Sequence, residues 1–377
     1  MCYNDIGQLW GIFRLKIEWL KLYQYRNYEA LTLKPGAGIC VFVGQNAAGK
    51  TNILESVFLC ALGRSHRTGH DSELIAEGQG EGMVSLRVKT RAGSRTIRCQ
   101  LSAKERKRVT LDNTPLARSG ELMGCLNVVM FSPEDLELVK GGPGARRRFL
   151  DMELSQLYPA YYFTLQRYNG VLKQRNMLLK NPHCGDDPTL ELWESQLARL
   201  GADITRRRAV FVRELAALAQ ALHGQMTDGA ESLEILYQPN LPPTADEELA
   251  EAMCAELVAN RERDMTRGST SVGPHRDDLA FFINGTDARV YGSQGQQRTA
   301  ALAAKLSEIA LVESVRGEKP VLLLDDVFSE LDTGRQSALL SAVSGCQTFI
   351  TCTHLGELAF LGAKRMKVFN VGNGKVM

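Results

Sequence analysis

No apolar run in the 377 residues approaches the roughly 18 needed to cross a membrane, so the sequence offers no spanning helix. Residues 1–13 lack the basic start and long apolar core of a secretion signal; they carry no clear pattern, and a loose extension is expected there. No C-x-x-C pair occurs among the nine cysteines, and the nearest two, Cys346 and Cys352, stand six apart. That usage speaks against a disulfide framework and suits a reducing cytosol. Net charge is nearly absent as well: 45 Lys and Arg against 43 Asp and Glu leave +2. A polyanion partner would have to be met by a local patch, not by the global field. Internal repeats and low-complexity tracts are missing too. What remains is ordinary globular composition, 44% hydrophobic and 23% charged, with length for two domains or one large domain carrying an insertion. A cytoplasmic protein with no membrane contact is expected.

One stretch stands out from this background. Gly44-Gln45-Asn46-Ala47-Ala48-Gly49-Lys50-Thr51 reads G-x-x-x-x-G-K-T. The apolar run Ile39–Val43 before it has the text of a buried strand, and Asn52 to Leu59 after it carries apolar residues at helical spacing. Strand, glycine loop and helix form the context a P-loop requires. Backbone N–H groups at a helix N-terminus can hold phosphates without side-chain bulk. Lys50 would reach the β- and γ-phosphates, and the Thr51 hydroxyl would ligate Mg²⁺.

Elsewhere the chain changes character twice. From Arg14 to Leu33 and again over residues 82–116 the text alternates, which predicts strands and a small antiparallel sheet with polar turns. Leu126 to Phe131 reads as another buried strand. From Tyr161 the period becomes helical, and after the breakers at 181–188 a heptad seam follows: Trp193, Leu197, Leu200, Ile204, Phe211, Leu215, Leu218 and Leu222. Two helices joined by a short polar loop predict an antiparallel hairpin, either a projecting arm or two core helices of a subdomain. After Gly268 the α/β text returns, with strands at Phe281–Ile283, Val321–Leu324, Thr348–Thr351 and Val368–Val371. The expected division is 14–139 and 268–377 for an α/β head, with 140–267 as a helical insertion.

A second constellation answers the P-loop. Val321-Leu322-Leu323-Leu324-Asp325-Asp326 is a Walker B strand: its apolar residues bury it, and carboxylates emerge at its end. Asp325 would hold Mg²⁺, and Asp326 would orient the attacking water or accept its proton. Ser293-Gln294-Gly295-Gln296-Gln297-Arg298 opens a helix, placing Ser293 and Gly295 as a further phosphate-facing cap. It resembles the signature motif of ABC-type ATPases, where one subunit touches the γ-phosphate held by the other. Phe328 to Asp332 follows Walker B as a D-loop does, and Thr351-Cys352-Thr353-His354 follows the next strand as a switch-histidine loop does. His354 is the candidate γ-phosphate sensor, a solvated loop histidine being the alternative.

With Tyr25-Arg26-Asn27-Tyr28, Asn52 after the P-loop, and Phe131-Ser132-Pro133-Glu134-Asp135-Leu136, the resemblance becomes specific. Arg146-Arg147-Arg148-Phe149-Leu150-Asp151 and Val272-Gly273-Pro274-His275-Arg276-Asp277-Asp278 add to it, as does Ser329-Glu330-Leu331-Asp332. From about Leu20 to the C-terminus the chain resembles the RecF family, SMC-like ABC-type ATPases of bacterial recombination. The implied fold is α/β: a P-loop ABC-type ATPase head with an inserted helical, short antiparallel coiled-coil-like subdomain. The implied cofactors are ATP and Mg²⁺, and the implied activity is a slow, DNA-stimulated hydrolysis used as a switch. The implied partners are gapped, junction or single-stranded DNA, RecR and RecO, indirectly RecA, and a second copy joined through ATP. Two departures stand out: Ala47 occupies a position where the family usually has Gly, and residues 1–13 have no counterpart, as a misplaced start would produce.

The residues give this reading physical sense. Lys50 and Ser293 lie 293 − 50 = 243 positions apart, which favours a signature closing on a second subunit's nucleotide, so ATP affinity and dimer affinity would be coupled. Asp326 is one methylene shorter than Glu, which predicts slow turnover. DNA contact is spread over three candidate patches: Lys104, Arg106, Lys107 and Arg108; Arg146 to Arg148; and Arg206 to Arg208. No aromatic-interleaved strand suggests base stacking, so a backbone-reading mode is expected. His275 and Arg276 are read as near the nucleotide or the lobe interface, or equally as structural packing. A transporter ATPase, an ATP-gated scaffold that does not hydrolyse, and a chromosome-organising head remain as alternatives. The large helical block argues against the first, intact Walker residues against the second, and the absence of long coiled coils against the third.

Overall fold

The unbroken apolar text of Ile39–Val43 becomes a strand buried on both faces. In the computed structural model, which describes residues 15–181, 188–241, 248–361, 366–372 and 374–377, this strand lies inside a six-stranded sheet. The order is Lys375–Val376, Met366–Gly372, Ile39–Val43, Thr348–Cys352, Val321–Asp325 and Val128–Phe131. All pairings are parallel except the terminal one, Met366–Gly372 with Lys375–Val376. The strand read at Val368–Val371 runs beside the P-loop strand. The extension at residues 1–13 and most of the breaker-rich segment, 182–187, lie outside the described residues.

The alternating text builds a second, antiparallel sheet of six strands: Tyr28–Leu33, Lys16–Tyr25, Glu81–Thr90, Gly93–Ser102, Arg108–Leu111 and Thr114–Pro115, in that order. The helix that follows the P-loop, Lys50–Leu62, packs against strands of both sheets. Eleven of its 13 residues are buried, which explains why its sequence shows no polar stripe. Gln347 ties the two sheets: its Oε1 accepts from the Ile17 N–H at 2.6 Å, and its Nε2 donates to the Ile17 carbonyl at 3.1 Å and the Gly36 carbonyl at 2.7 Å. A buried amide with all its partners fixes this register where apolar packing alone would allow slippage.

The chain divides into two compact units, one holding the described residues up to Pro133 with Ile309–Met377, the other Glu134–Glu308. This corrects the expected division, which assigned 268–308 to the α/β head. Pairing is the reason. Asp278–Ile283 is the central strand of a three-stranded antiparallel sheet and pairs with Leu233–Gln238. The hairpin from it to Thr286–Asp287 turns on Asn284 and Gly285, both at positive φ as a tight two-residue turn needs. The helices Pro143–Leu157, Pro159–Leu178, Thr189–Met226 and Leu249–Ala259 complete this unit. Pro159–Leu178 and the 38-residue Thr189–Met226 pack along each other, as the seam predicted.

Buried ion pairs stitch the second unit. Arg146 is bidentate to Asp278 at 2.6 and 2.9 Å. Arg208 donates to Asp151 at 2.7 Å and to Asp277 at 3.0 Å, and to the Pro274 carbonyl at 2.7 Å. Arg175 is fully buried between Asp264 and Glu194. Each of these is a strong interaction only because every charge has a partner; removing one member leaves the other buried and uncompensated.

Candidate nucleotide-binding and hydrolysis site

The parallel register brings the chemistry to one edge. Asp325 lies beside Thr351, and Cys352 beside Val43, so three neighbouring strands end together where the P-loop begins. In open α/β sheets such a carboxyl edge is where ligands bind. Gly44 sits where a Cβ would stand 2.1 Å from the Val371 carbonyl oxygen, and Gly49, at φ 108°, where one would meet Asn27 at 2.5 Å. Neither position admits a side chain. Ala47 adopts φ 63° and its side chain is exposed. The departure from Gly is therefore sterically open but carries a left-handed backbone that disfavours any Cβ by about 1–2 kcal/mol.

Lys50 is buried and its Nζ donates to the Gly44 carbonyl at 2.6 Å and the Gln45 carbonyl at 3.0 Å. It is thus held across the mouth of the loop, ready to exchange carbonyls for phosphate oxygens. The Thr51 hydroxyl donates to Asp325 Oδ1 at 2.9 Å. A hydroxyl beside a carboxylate is an oxygen pair that fits Mg²⁺. That ion takes one or two protein oxygens and completes its shell with water and phosphate. Gln45 and Asn46 are exposed on the loop and Ala48 half-buried.

The turn at Arg26 and Asn27 props this loop from behind. Asn27 Nδ2 donates to the Ala48 carbonyl at 3.0 Å, and the Tyr28 hydroxyl to the Gly49 carbonyl at 3.0 Å. Asn52 Nδ2 donates to Asn27 Oδ1 at 2.9 Å, which ties the helix to the same turn. Arg26 grips Glu55 with two bonds of 2.9 and 2.7 Å, and Ser65 donates to that carboxylate at 2.6 Å. Burial alone would raise the Glu55 carboxyl; the bonds from Arg26 and Ser65 outweigh it and hold the group below the usual carboxylate range. Arg26, Asn27, Tyr28 and Asn52 stood out in the sequence, but their service to the loop did not. No local pattern links Arg26 to Glu55.

Asp326 stands at φ 54°, a strained setting that Asp tolerates better than most residues. Its N–H donates to Thr351 Oγ1 at 2.9 Å. His354 follows the same strand, exposed, in a turn closed by its N–H to Glu357 Oε1 at 3.0 Å. Lys50, Thr51, Asp325 and Asp326 are thus gathered in the first unit, with His354 on a neighbouring strand end.

Ser293 and Gly295 belong to the second unit. Ser293 precedes the 23-residue helix Gln294–Arg316. Its Oγ accepts from the Gln296 N–H at 3.2 Å while Gln296 Oε1 accepts from the Ser293 N–H at 2.9 Å. This reciprocal cap leaves the hydroxyl proton able to donate outward. Ser293 is exposed and Gly295 half-buried in the first turn.

Each three-arginine run loses its buried member as a DNA contact. Arg146 and Arg208 are the ion-pair anchors described above. Arg147 donates to the Asp277 carbonyl at 2.8 Å, and Arg207 pairs with Asp203 at 2.9 Å. Lys107 pairs with Asp71 at 2.7 Å. Lys104, Arg106, Arg108 and Arg148 remain exposed, and Arg206 half-buried.

His275 is packing, not chemistry. Its Nε2 donates to the Thr270 carbonyl at 3.0 Å, because that oxygen can only accept, and its Nδ1 accepts from the Tyr168 hydroxyl at 2.6 Å. Burial first, opposed by the Thr270 bond and helped by Arg276 and Arg147, lowers its pKa to about 4. The folded value lies below the ordinary one near 6.5, so the unfolded chain takes up the proton first. Stability should fall as pH drops from about 6.5 towards 4, by up to about 3 kcal/mol. His275→Gln should flatten that part of a urea-midpoint profile; an unchanged profile would refute the assignment.

A P-loop strand and a Walker B strand one place removed in a parallel sheet, with a signature-type helix reached through a helical insertion, define an SMC-like ABC-type ATPase head. Residues 16–376 match the family described as RecF/RecN/SMC N terminal domain. A DNA replication and repair protein RecF from Alkaliphilus oremlandii is 44% identical over 363 residues, 96% of this chain and 99% of the relative. The RecF of Halothermothrix orenii is 45% identical, covering 96% and 98%. A solved structure of the recombination mediator protein RecF with ATP superposes with TM-score 0.89 at 34% identity, covering 97% of this chain and 99% of that one. The Smc head domain of Pyrococcus furiosus, at TM-score 0.57 and 15% identity, shares the fold. The chain belongs to the RecF family.

Proposed function

We propose that this protein is an ATP-switched, DNA-binding protein of recombinational repair and replication restart. ATP joins two copies; the dimer holds gapped, junction or single-stranded DNA. With RecO and RecR it assists the loading of RecA, which supports the SOS response. The observation that carries this reading is the convergence of Lys50, Thr51, Asp325 and Asp326 on one sheet edge in a chain that matches RecF relatives along 96% of its length.

Each residue has a task there. The P-loop backbone from Gly44 to Thr51 cradles the phosphates and Lys50 donates to the β- and γ-oxygens. Thr51 and Asp325 hold Mg²⁺, which supplies charge neutralisation between the phosphates when bound. Asp326 orients the attacking water and takes its proton. Ser293 and Gly295 of a second copy donate to the γ-phosphate, and His354 senses it. Turnover is slow, since the Asp326 carboxylate falls one methylene short of Glu, and DNA stimulates it. DNA is read through its phosphates by the exposed cations Lys104, Arg106, Arg108 and Arg148, so affinity falls steeply with salt. The work is placed in the cytoplasm, where bacterial DNA is replicated and repaired; among the described residues no helix is long and apolar enough to cross a membrane.

Sedimentation of the pure protein with and without ATP-Mg²⁺, then with gapped duplex DNA added, tests this. A monomer that shifts to a dimer on ATP, and then retains DNA, is the expected result. A monomer indifferent to both would overturn the switch.

A further inference from the structure

Between the Asp325 carboxylate and the Asp326 backbone N–H stands a hydroxyl that the roles above leave unused. Thr351, on the strand beside Walker B, is buried and faces Asp325 across the parallel ladder. Its Oγ1 donates to Asp325 Oδ1 at 2.8 Å and accepts from the Asp326 N–H at 2.9 Å. We propose that Thr351 is a positioning residue for ATP hydrolysis, fixing through one hydroxyl group the metal-holding carboxylate of Asp325 and the backbone turn from which the Asp326 carboxylate projects.

Three features support this assignment. Asp326 turns out of the strand at φ 54°; its N–H is satisfied by the Thr351 side chain, so the strained turn and the hydroxyl depend on each other. Asp325 Oδ1 accepts hydrogen bonds from two hydroxyls, Thr51 and Thr351. Thr51 is the one that must also serve a metal ion, whereas Thr351 lies on another strand and has no competing duty. It therefore keeps the Asp325 rotamer fixed whatever Thr51 does. Finally, Thr351 is three residues before His354, so the strand end that sets the carboxylates also launches the sensor loop. A donor to a metal ligand typically changes metal affinity ten- to a hundredfold when lost, and a displacement of about 1 Å in a reacting group can lower turnover a hundredfold.

The inference rests on the ATPase reading of this edge, and the test separates the two. Thr351→Val keeps the shape and loses both bonds; Thr351→Ala loses them without any risk of overpacking; Thr351→Ser retains both. Turnover is measured together with the metal concentration that half-saturates the ATP complex, read with Mn²⁺ by electron paramagnetic resonance and with Mg²⁺ by a fluorescent ATP analogue. The Val and Ala variants should lose about tenfold or more in kcat and need about tenfold more metal, with metal-free nucleotide affinity unchanged and Ser close to wild type. Val and Ala variants with wild-type kcat and metal midpoint would overturn the proposal, as would a Ser variant as impaired as they are. If Val fails to fold, the Ala and Ser pair decides by the same criteria. A wild-type protein that neither binds nor hydrolyses ATP would instead sink the reading on which the proposal stands.

Discussion

Asp326→Asn should lower phosphate release by about a hundredfold or more while leaving ATP binding intact. The substitution is suited to the site for a structural reason. Position 326 sits in the left-handed region at φ 54°, where Asn is at least as comfortable as Asp, and the N–H bond to Thr351 comes from the backbone and survives. What disappears is the negative charge that accepts a proton from water. ATP-bound dimers should therefore accumulate, since the event that parts them is removed. Single-turnover phosphate release and sedimentation of the same sample check both halves. Unchanged release would mean that Asp326 is not the hydrolytic carboxylate and would favour a scaffold that uses ATP only to associate.

Ser293→Arg should abolish the ATP-dependent dimer. Ser293 is exposed at the start of a long helix, where its side chain takes part in the reciprocal cap with Gln296. Losing the cap costs about 1 kcal/mol, and a cation at a helix N-terminus adds about 0.3–1 kcal/mol, neither enough to unfold the unit. A bulky charge facing a second copy would find no compensation there, and dimer affinity should fall at least about a hundredfold. The P-loop belongs to the other unit of the chain, so ATP affinity at protein concentrations too low for dimers should not move. At higher concentrations the wild type should bind ATP more tightly and the variant should not, because the two equilibria are linked. Dimers of the variant at wild-type strength would remove the signature from the interface.

The nucleotide edge was legible in the sequence because each part is local: a glycine loop between a strand and a helix, and carboxylates at the end of an apolar run. The unit boundary was not. It depends on Leu233–Gln238 pairing with Asp278–Ile283 across an intervening helical stretch, and on Arg146 and Arg208 reaching Asp278, Asp151 and Asp277. The arginine runs were misread for a related reason. The apolar seam of the long helix steps from Ile204 directly to Phe211; Arg208 fills the skipped place, four residues after one and three before the other, and is buried with them. Arg146 likewise shares a face with Phe149, Leu150 and Glu153, all buried. A charge on the core face of a helix looks, in one dimension, like a charge on its outside. Only the acidic partners reveal it, and they lie far along the chain.

The bare Cα of Gly44 lies against the carbonyl of Val371, and the strand carrying that carbonyl is held at the adjacent residue by paired bonds between Asn370 and Met377. The first turn of the phosphate loop is therefore moulded by the hairpin of Met366–Gly372 and Lys375–Val376. A stop codon ahead of Met366 would remove that strand. It would strip one wall from the loop that receives the phosphates, and in a genetic screen such an allele would group with those of Lys50.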